Sequence, residues 1–157
     1  SDWGDPREYT IGDMGVGECA GEIVPYVEMG LAAAEREVFE AQELLDGGDM
    51  AGAAKRAYSA MLQAARSLAR EKNQNIGDTP AEVVSEFRKH FVDTQLFFDP
   101  FAGAKFAQYL FRVHEEGTDL KSKDSVHQTI EEAQLFVDAS HQCYARLGAQ
   151  LSQPVVA

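Results

Sequence analysis

From Val27 onward apolar residues recur every three or four positions through most of the chain, and helices follow from that period. Val27, Leu31, Ala34, Val38, Ala41 and Leu45 step by 4-3-4-3-4 along one stripe, with Arg36, Glu40 and Glu43 on the other side. Gly47-Gly48 stops this helix, and Asp49 is placed to cap the next. The second helix runs to about Lys72 on a stripe of Ala54, Ala57, Met61, Ala64 and Leu68, small enough to let two helices approach closely as an antiparallel hairpin. A loop over 73–78 precedes Thr79-Pro80-Ala81-Glu82, which has the layout of a capping box with Pro at the first helical position. The third helix is short, ending near Val92, with Val83, Val84, Phe87 and Phe91 turned inward. Asp99-Pro100 opens a fourth by the same logic, carrying Phe101, Phe106, Tyr109, Leu110 and Val113. After a polar loop from Glu116 to about Lys123, a last helix starts at Asp124 or Ser125. Its stripe is Ile130, Ala133, Val137, Ser140, Tyr144 and Leu147, and it frays after Gly148.

Gln95-Leu96-Phe97-Phe98 is the one short apolar run outside a helix, and Asp99-Pro100 cuts it off as a strand. The fold class expected is all-α: an antiparallel bundle of four main helices plus one short helix over 27–150. Residues 1–26 read differently. Gly4, Gly12, Gly15, Gly17 and Gly21, with Pro6 and Pro25, make an irregular Gly-rich arm that still carries Trp3, Tyr9, Ile11 and Val16. Those apolar residues favour packing of part of the arm on the body or on a neighbouring domain.

Charge narrows the partners. Fourteen Lys and Arg stand against 26 Asp and Glu, a net charge of −12. Phosphate backbones and anionic membranes are bound through clustered cations, so DNA, RNA and a membrane surface are all disfavoured. No run of about 18 apolar residues is present to span a bilayer. Cys19 and Cys143 are too few for a disulfide scaffold, and no charged-then-apolar leader opens the chain, which reads as a reduced, cytoplasmic protein. The opening Ser1-Asp2-Trp3 lacks an initiating Met and reads as a processed chain or a piece of a longer one.

The candidate chemistry is sparse. Asp124-x-x-His127 and Asp138-x-x-His141 lie on one helix, whereas a metal cluster is wrapped from several elements, so no metal is expected. Cys143 falls beside Tyr144 of a core stripe, where a thiol is buried and inert. Cys19, in Gly17-Glu18-Cys19-Ala20-Gly21, is the one candidate cofactor-binding residue, although Glu18 and Glu22 raise a thiol's pKa. Gly12 to Glu18 lacks the preceding strand and following Lys of a phosphate loop. Among the cations, Arg66 and Arg70 share a helix face with Arg56 further back, and are the candidates for a nucleotide or RNA. Arg112 and His114 are the candidate catalytic pair. Isolated surface arginines more often pair with acids on a solvated face.

The run from Leu44-Leu45-Asp46-Gly47-Gly48-Asp49 through Ala57-Tyr58-Ser59-Ala60-Met61 to Ala64-Ala65-Arg66-Ser67-Leu68 resembles the HEPN domain. That family has a leucine pair, a Gly-Asp turn, then Tyr-x-Ala-Met followed by further Ala and Leu. Thr79-Pro80, Phe87 and Arg112 sit where the family has a Thr-His, a Phe and its functional Arg, and the resemblance spans about Val27 to Leu147. It implies an antiparallel helical bundle that commonly forms homodimers. Its active members are metal-independent ribonucleases with an Arg followed four to six residues later by His, the His for acid–base work and the Arg for phosphate charge. None of Arg7, Arg36, Arg56, Arg66, Arg70, Arg88, Arg112 and Arg146 has a His at that offset, and Arg112 meets Glu116, Gly117 and Thr118 there. The resemblance therefore implies a non-catalytic member serving dimerisation or partner docking, the alternative being a divergent RNA-cleaving or nucleotide-binding domain. Asp2-Trp3-Gly4-Asp5-Pro6-Arg7-Glu8-Tyr9 and Gly15 to Gly21 resemble a segment near the C-terminus of siroheme-dependent nitrite/sulfite reductases. That similarity implies a reductase core in the same polypeptide. Siroheme and an iron–sulfur cluster would belong to that parent, since this chain lacks the four clustered cysteines that hold them and carries no cofactor of its own.

Overall fold

The computed structural model describes residues 25–152, so the arm over 1–24, with Cys19, lies outside the described residues. It shows an all-α bundle. Helix α1 spans Tyr26–Asp46, α2 Met50–Ala69, α3 Pro80–Phe87, α4 Lys105–Glu116 and α5 Lys123–Ser152. Among the described residues there is no strand, only an isolated bridge between Asp99 and Gly103. None of these helices is long and apolar enough to cross a membrane.

The hairpin forms as its sequence requires. Gly48 takes φ 93°, which a side chain would strain, and the Asp49 carboxylate accepts from the Gly52 N–H at 2.8 Å. Every residue of the α1 stripe and of the α2 stripe is buried. The interface is tight enough to dictate residue size. A Cβ on Gly30 would lie 1.8 Å from the Ser67 Oγ and 2.8 Å from its Cβ. Helix α5 packs across both α1 and α2, while α3 lies on α2 and α4 on α5.

The other end of the bundle is aromatic. Phe87 is fully buried, with Phe97 edge-on at 5.0 Å between ring centres, Phe136 at 5.5 Å and Phe91 at 5.8 Å. Phe91 reaches this cluster because α3 widens into a π-helical turn, Arg88–Val92, which shifts the register of the residues after Phe87.

Several boundaries differ from expectation, each for a local reason. Asp99-Pro100 does not open a helix. The Asp99 carboxylate accepts from the Phe101 and Ala102 N–H groups at 2.7 and 2.8 Å, and Asp99 exchanges backbone bonds with Gly103 at 2.9 and 2.7 Å. Gly103 at φ 63° then interrupts any helical path, and α4 begins only at Lys105. Phe101 consequently stands 99% exposed instead of packing inward. The capping box is also rearranged. Thr79 makes no side-chain cap, and Glu82 instead accepts from the Gly77 N–H at 2.9 Å, because the 73–78 loop is folded back within its reach. Helix α2 stops at Ala69 rather than Lys72, where tightened bonds from Glu71 to Leu68 and Lys72 to Ala69 close it. Helix α5 starts at Lys123 rather than Asp124 or Ser125, with the Ser122 hydroxyl accepting from the Ser125 N–H at 3.1 Å. Gly148 does not end that helix, which continues to Ser152.

Candidate functional site

Arg112 and His114 sit two residues apart on α4, and a helix turns about 200° over two residues, so they face different neighbours. Arg112 pairs with Glu132 of α5, a carboxylate only 7% exposed, whose second oxygen accepts from Gln128 at 3.1 Å. A carboxylate this buried needs its cation, so Arg112 is bound to the fold before it is available to a substrate. His114 turns toward α2 and meets Tyr58, with 2.7 Å between the hydroxyl and Nδ1. Burial raises the Tyr58 pKa, which keeps the phenol protonated and able to donate. The phenol donates when Nδ1 is unprotonated and accepts when Nδ1 carries the proton. Tyr58 lies 56 positions from His114, and only the tertiary fold joins them.

Arg66 and Arg70 do come together, around one aromatic ring. Arg66 donates to the Gly77 carbonyl at 2.9 Å, to the Ile76 carbonyl at 3.1 Å and to the Tyr26 hydroxyl at 3.1 Å. The Arg70 guanidinium lies over the Tyr26 ring, 3.8 Å from its centre. Burial would raise the Tyr26 pKa, but hydrogen bonds and charge from Arg66 and Arg70 outweigh it and the net direction is down. The pair thus staples the 73–78 loop and the start of α1 to the end of α2. Arg56 is spent on Glu40 at 2.8 Å.

The remaining candidates also have assigned partners. His127 faces Glu131 at 3.3 Å, and His141 clasps Glu35 of α1, so neither turns to the aspartate three residues before it. Asp138 instead accepts from Gln134. Among the described residues no three His, Cys, Asp or Glu side chains gather as a metal set. The Cys143 thiol is buried, donates to the Leu96 carbonyl at 3.4 Å, and burial pushes its pKa up to about 11.

Concave surface is modest. A groove of about 480 Å³ runs between the π-helical turn and α4, lined by Arg88, Asp93, Gln108, Arg112 and Glu115. Both signs of charge line it, and Arg88 is stacked over the Phe111 ring at 4.0 Å. A more apolar hollow of about 240 Å³ lies beside Tyr58, Val113 and Leu120.

The convex surface is more unusual. Phe101 and Phe98 stand 99% and 47% exposed on the Asp99 turn, whose Phe98 carbonyl is held by Arg146 at 3.1 Å. Met29 and Phe39 are 59% and 64% exposed on the outer side of α1. The sequence pattern put Phe101 among the apolar residues of an expected helix and did not single out Met29 or Phe39. Their signal was an apolar side chain off the α1 stripe. No protein-family model matches the chain, and no curated protein matches it closely enough to show a family.

Proposed function

We propose that residues 27–150 are a non-catalytic, HEPN-like helical domain that serves as a homodimerisation or partner-docking module. The host we propose is a cytoplasmic siroheme nitrite/sulfite reductase, on the resemblance of the N-terminal arm. The observation that carries the docking reading is Phe101. A nearly fully exposed phenylalanine costs solvation, and this one is held outward by a turn tied through Asp99, Gly103 and Arg146. Aromatic anchors on rigid supports supply most of the free energy at protein interfaces. The charged candidates support the same reading from the other side. Arg66, Arg70 and Arg112 already hold a loop, an aromatic ring and a buried carboxylate. A net charge of −12 works further against an RNA chain.

Incubation of the full chain with single-stranded RNA at low salt tests this reading. The expected result is intact RNA and no retardation of its mobility. Cleavage that disappears in His114→Ala would instead establish the nuclease alternative. His114 is the better probe because Arg112→Ala uncovers Glu132 and weakens the fold.

A further inference from the structure

The outer side of α1 carries a pattern the bundle does not use. Met29, Ala32, Arg36 and Phe39 follow a 3-4-3 spacing on the side opposite the buried stripe, and all four are exposed. Their order is self-complementary. Met29 and Phe39 lie equally far from the level of residue 34, and so do Ala32 and Arg36. A two-fold axis across α1 at that level sets Met29 of one copy against Phe39 of the other, and Ala32 against Arg36. Isologous contacts of this kind are how most homodimers close.

We propose that this face of α1 is the surface on which a second copy of the chain docks, antiparallel, with its axis at the level of residue 34. The inference rests on the dimerisation half of the proposed function and names the surface for it. Three features favour a second copy. Ala32 at the centre is small enough for two helix backbones to approach to about 8–10 Å. Apolar Met29 and Phe39 meet in both halves of the contact, so each exposed side chain is covered by the other. Arg36 supplies the charge match, because from opposite Ala32 it reaches Glu28, which is exposed one turn away. Glu40 on the same helix is already held by Arg56, and Glu35 by His141. In a chain of net charge −12 whose α1 also carries Glu35, Glu37, Glu40 and Glu43, the two symmetry-related Arg36–Glu28 pairs and the apolar centre are what offset the repulsion between copies. One helix width buries less than the roughly 800 Å² per partner of a standard interface, so the dimer is weak and concentration-dependent.

The test is chemical cross-linking of the full chain with a short bismaleimide, in a Cys19→Ser background that leaves only the buried Cys143. Met29→Cys combined with Phe39→Cys is expected to give covalent dimers. Met29→Cys alone is expected to give none, because the two copies of that position lie about 15 Å apart along the helices at 1.5 Å per residue. Linking by the single variant as readily as by the double, or by neither, overturns the proposed register. Sedimentation separates that failure from a failure of the underlying reading. Phe39→Glu should weaken association about tenfold or more, as loss of a central aromatic does. A dimer indifferent to Phe39→Glu overturns this face and leaves dimerisation standing, whereas a wild-type chain that never associates overturns both. A monomer in which Phe39→Glu shifts the emission of Trp3, the single tryptophan, assigns the face to the N-terminal arm and overturns the proposal.

Discussion

The two ends of this bundle reach a dry core by opposite means. Between α1 and α2 the contact is made of small residues, Gly30, Ala34, Ala57, Ala60 and Ala64, and backbone closeness does the work. Around Phe87 the contact is made of large rings contributed by α3, the π-helical turn, the 93–104 segment, α4 and α5. The small-residue interface tolerates no added atom, while the aromatic one tolerates no removed ring. Removal leaves a cavity with partners on every side, and addition forces two helix backbones apart.

That contrast is broken most severely at Phe87. Phe87→Ala is expected to lower unfolding free energy by about 3–5 kcal/mol, read from urea denaturation followed by circular dichroism. If the loss is below about 1 kcal/mol, the cluster is not the packing centre described. Gly30→Ala should cost about 1–3 kcal/mol despite the better helix propensity of Ala, because the new Cβ meets Ser67 at 1.8 Å. Pairing it with Ser67→Gly should recover most of the loss, since the clash is with the Ser67 side chain. No recovery would mean the closeness of the two helices is not what the substitution offends. The smallest effect is at Cys143, whose thiol donates to the carbonyl of Leu96, the residue before Phe97. Its pKa is pushed up to about 11, so the folded state keeps a proton that the unfolded state loses near the ordinary thiol value of 9.0. Stability from this group is therefore present below about pH 9 and falls as pH rises from 9 toward 11. Cys143→Ser should flatten that part of a pH–stability profile, and Ellman's reagent should label Cys143 only as the protein unfolds.

The same contrast explains what the sequence made legible. The α1 and α2 stripes are periodic, and every residue that periodicity placed on them is buried, with Gly30, Ala53, Ala60, Ala65, Ser67 and Ala69 buried beside them. The aromatic end is not periodic. Phe97 is buried from an irregular segment, Phe91 enters through a π-helical turn, and Phe111 and Phe136 lie beside the stripes that were read. Asp99-Pro100 shows the limit of local signals, because an Asp before a Pro caps a turn as well as a helix. The carboxylate accepts from Phe101 and Ala102 in either case, and the positive φ of Gly103 turns the chain back so that the Asp99 backbone bonds Gly103 instead of leading into a helix. The candidate cations were hidden for another reason. Arg66 spends its donors on Ile76, Gly77 and Tyr26, and Arg112 on Glu132, partners up to 40 positions away. Spacing along one helix therefore pointed to Arg66, Arg70 and Arg112 and could not reveal that they are occupied.

The outward aromatics favour a docking module, and the engaged cations weigh against a nuclease. Sedimentation equilibrium of the full chain, from about 1 µM to 1 mM and so across the range in which weak protein contacts form, addresses the former most directly. A reversible monomer–dimer equilibrium that Phe39→Glu shifts toward monomer is expected. A single monomeric species at every concentration, unchanged by Phe39→Glu, would contradict it.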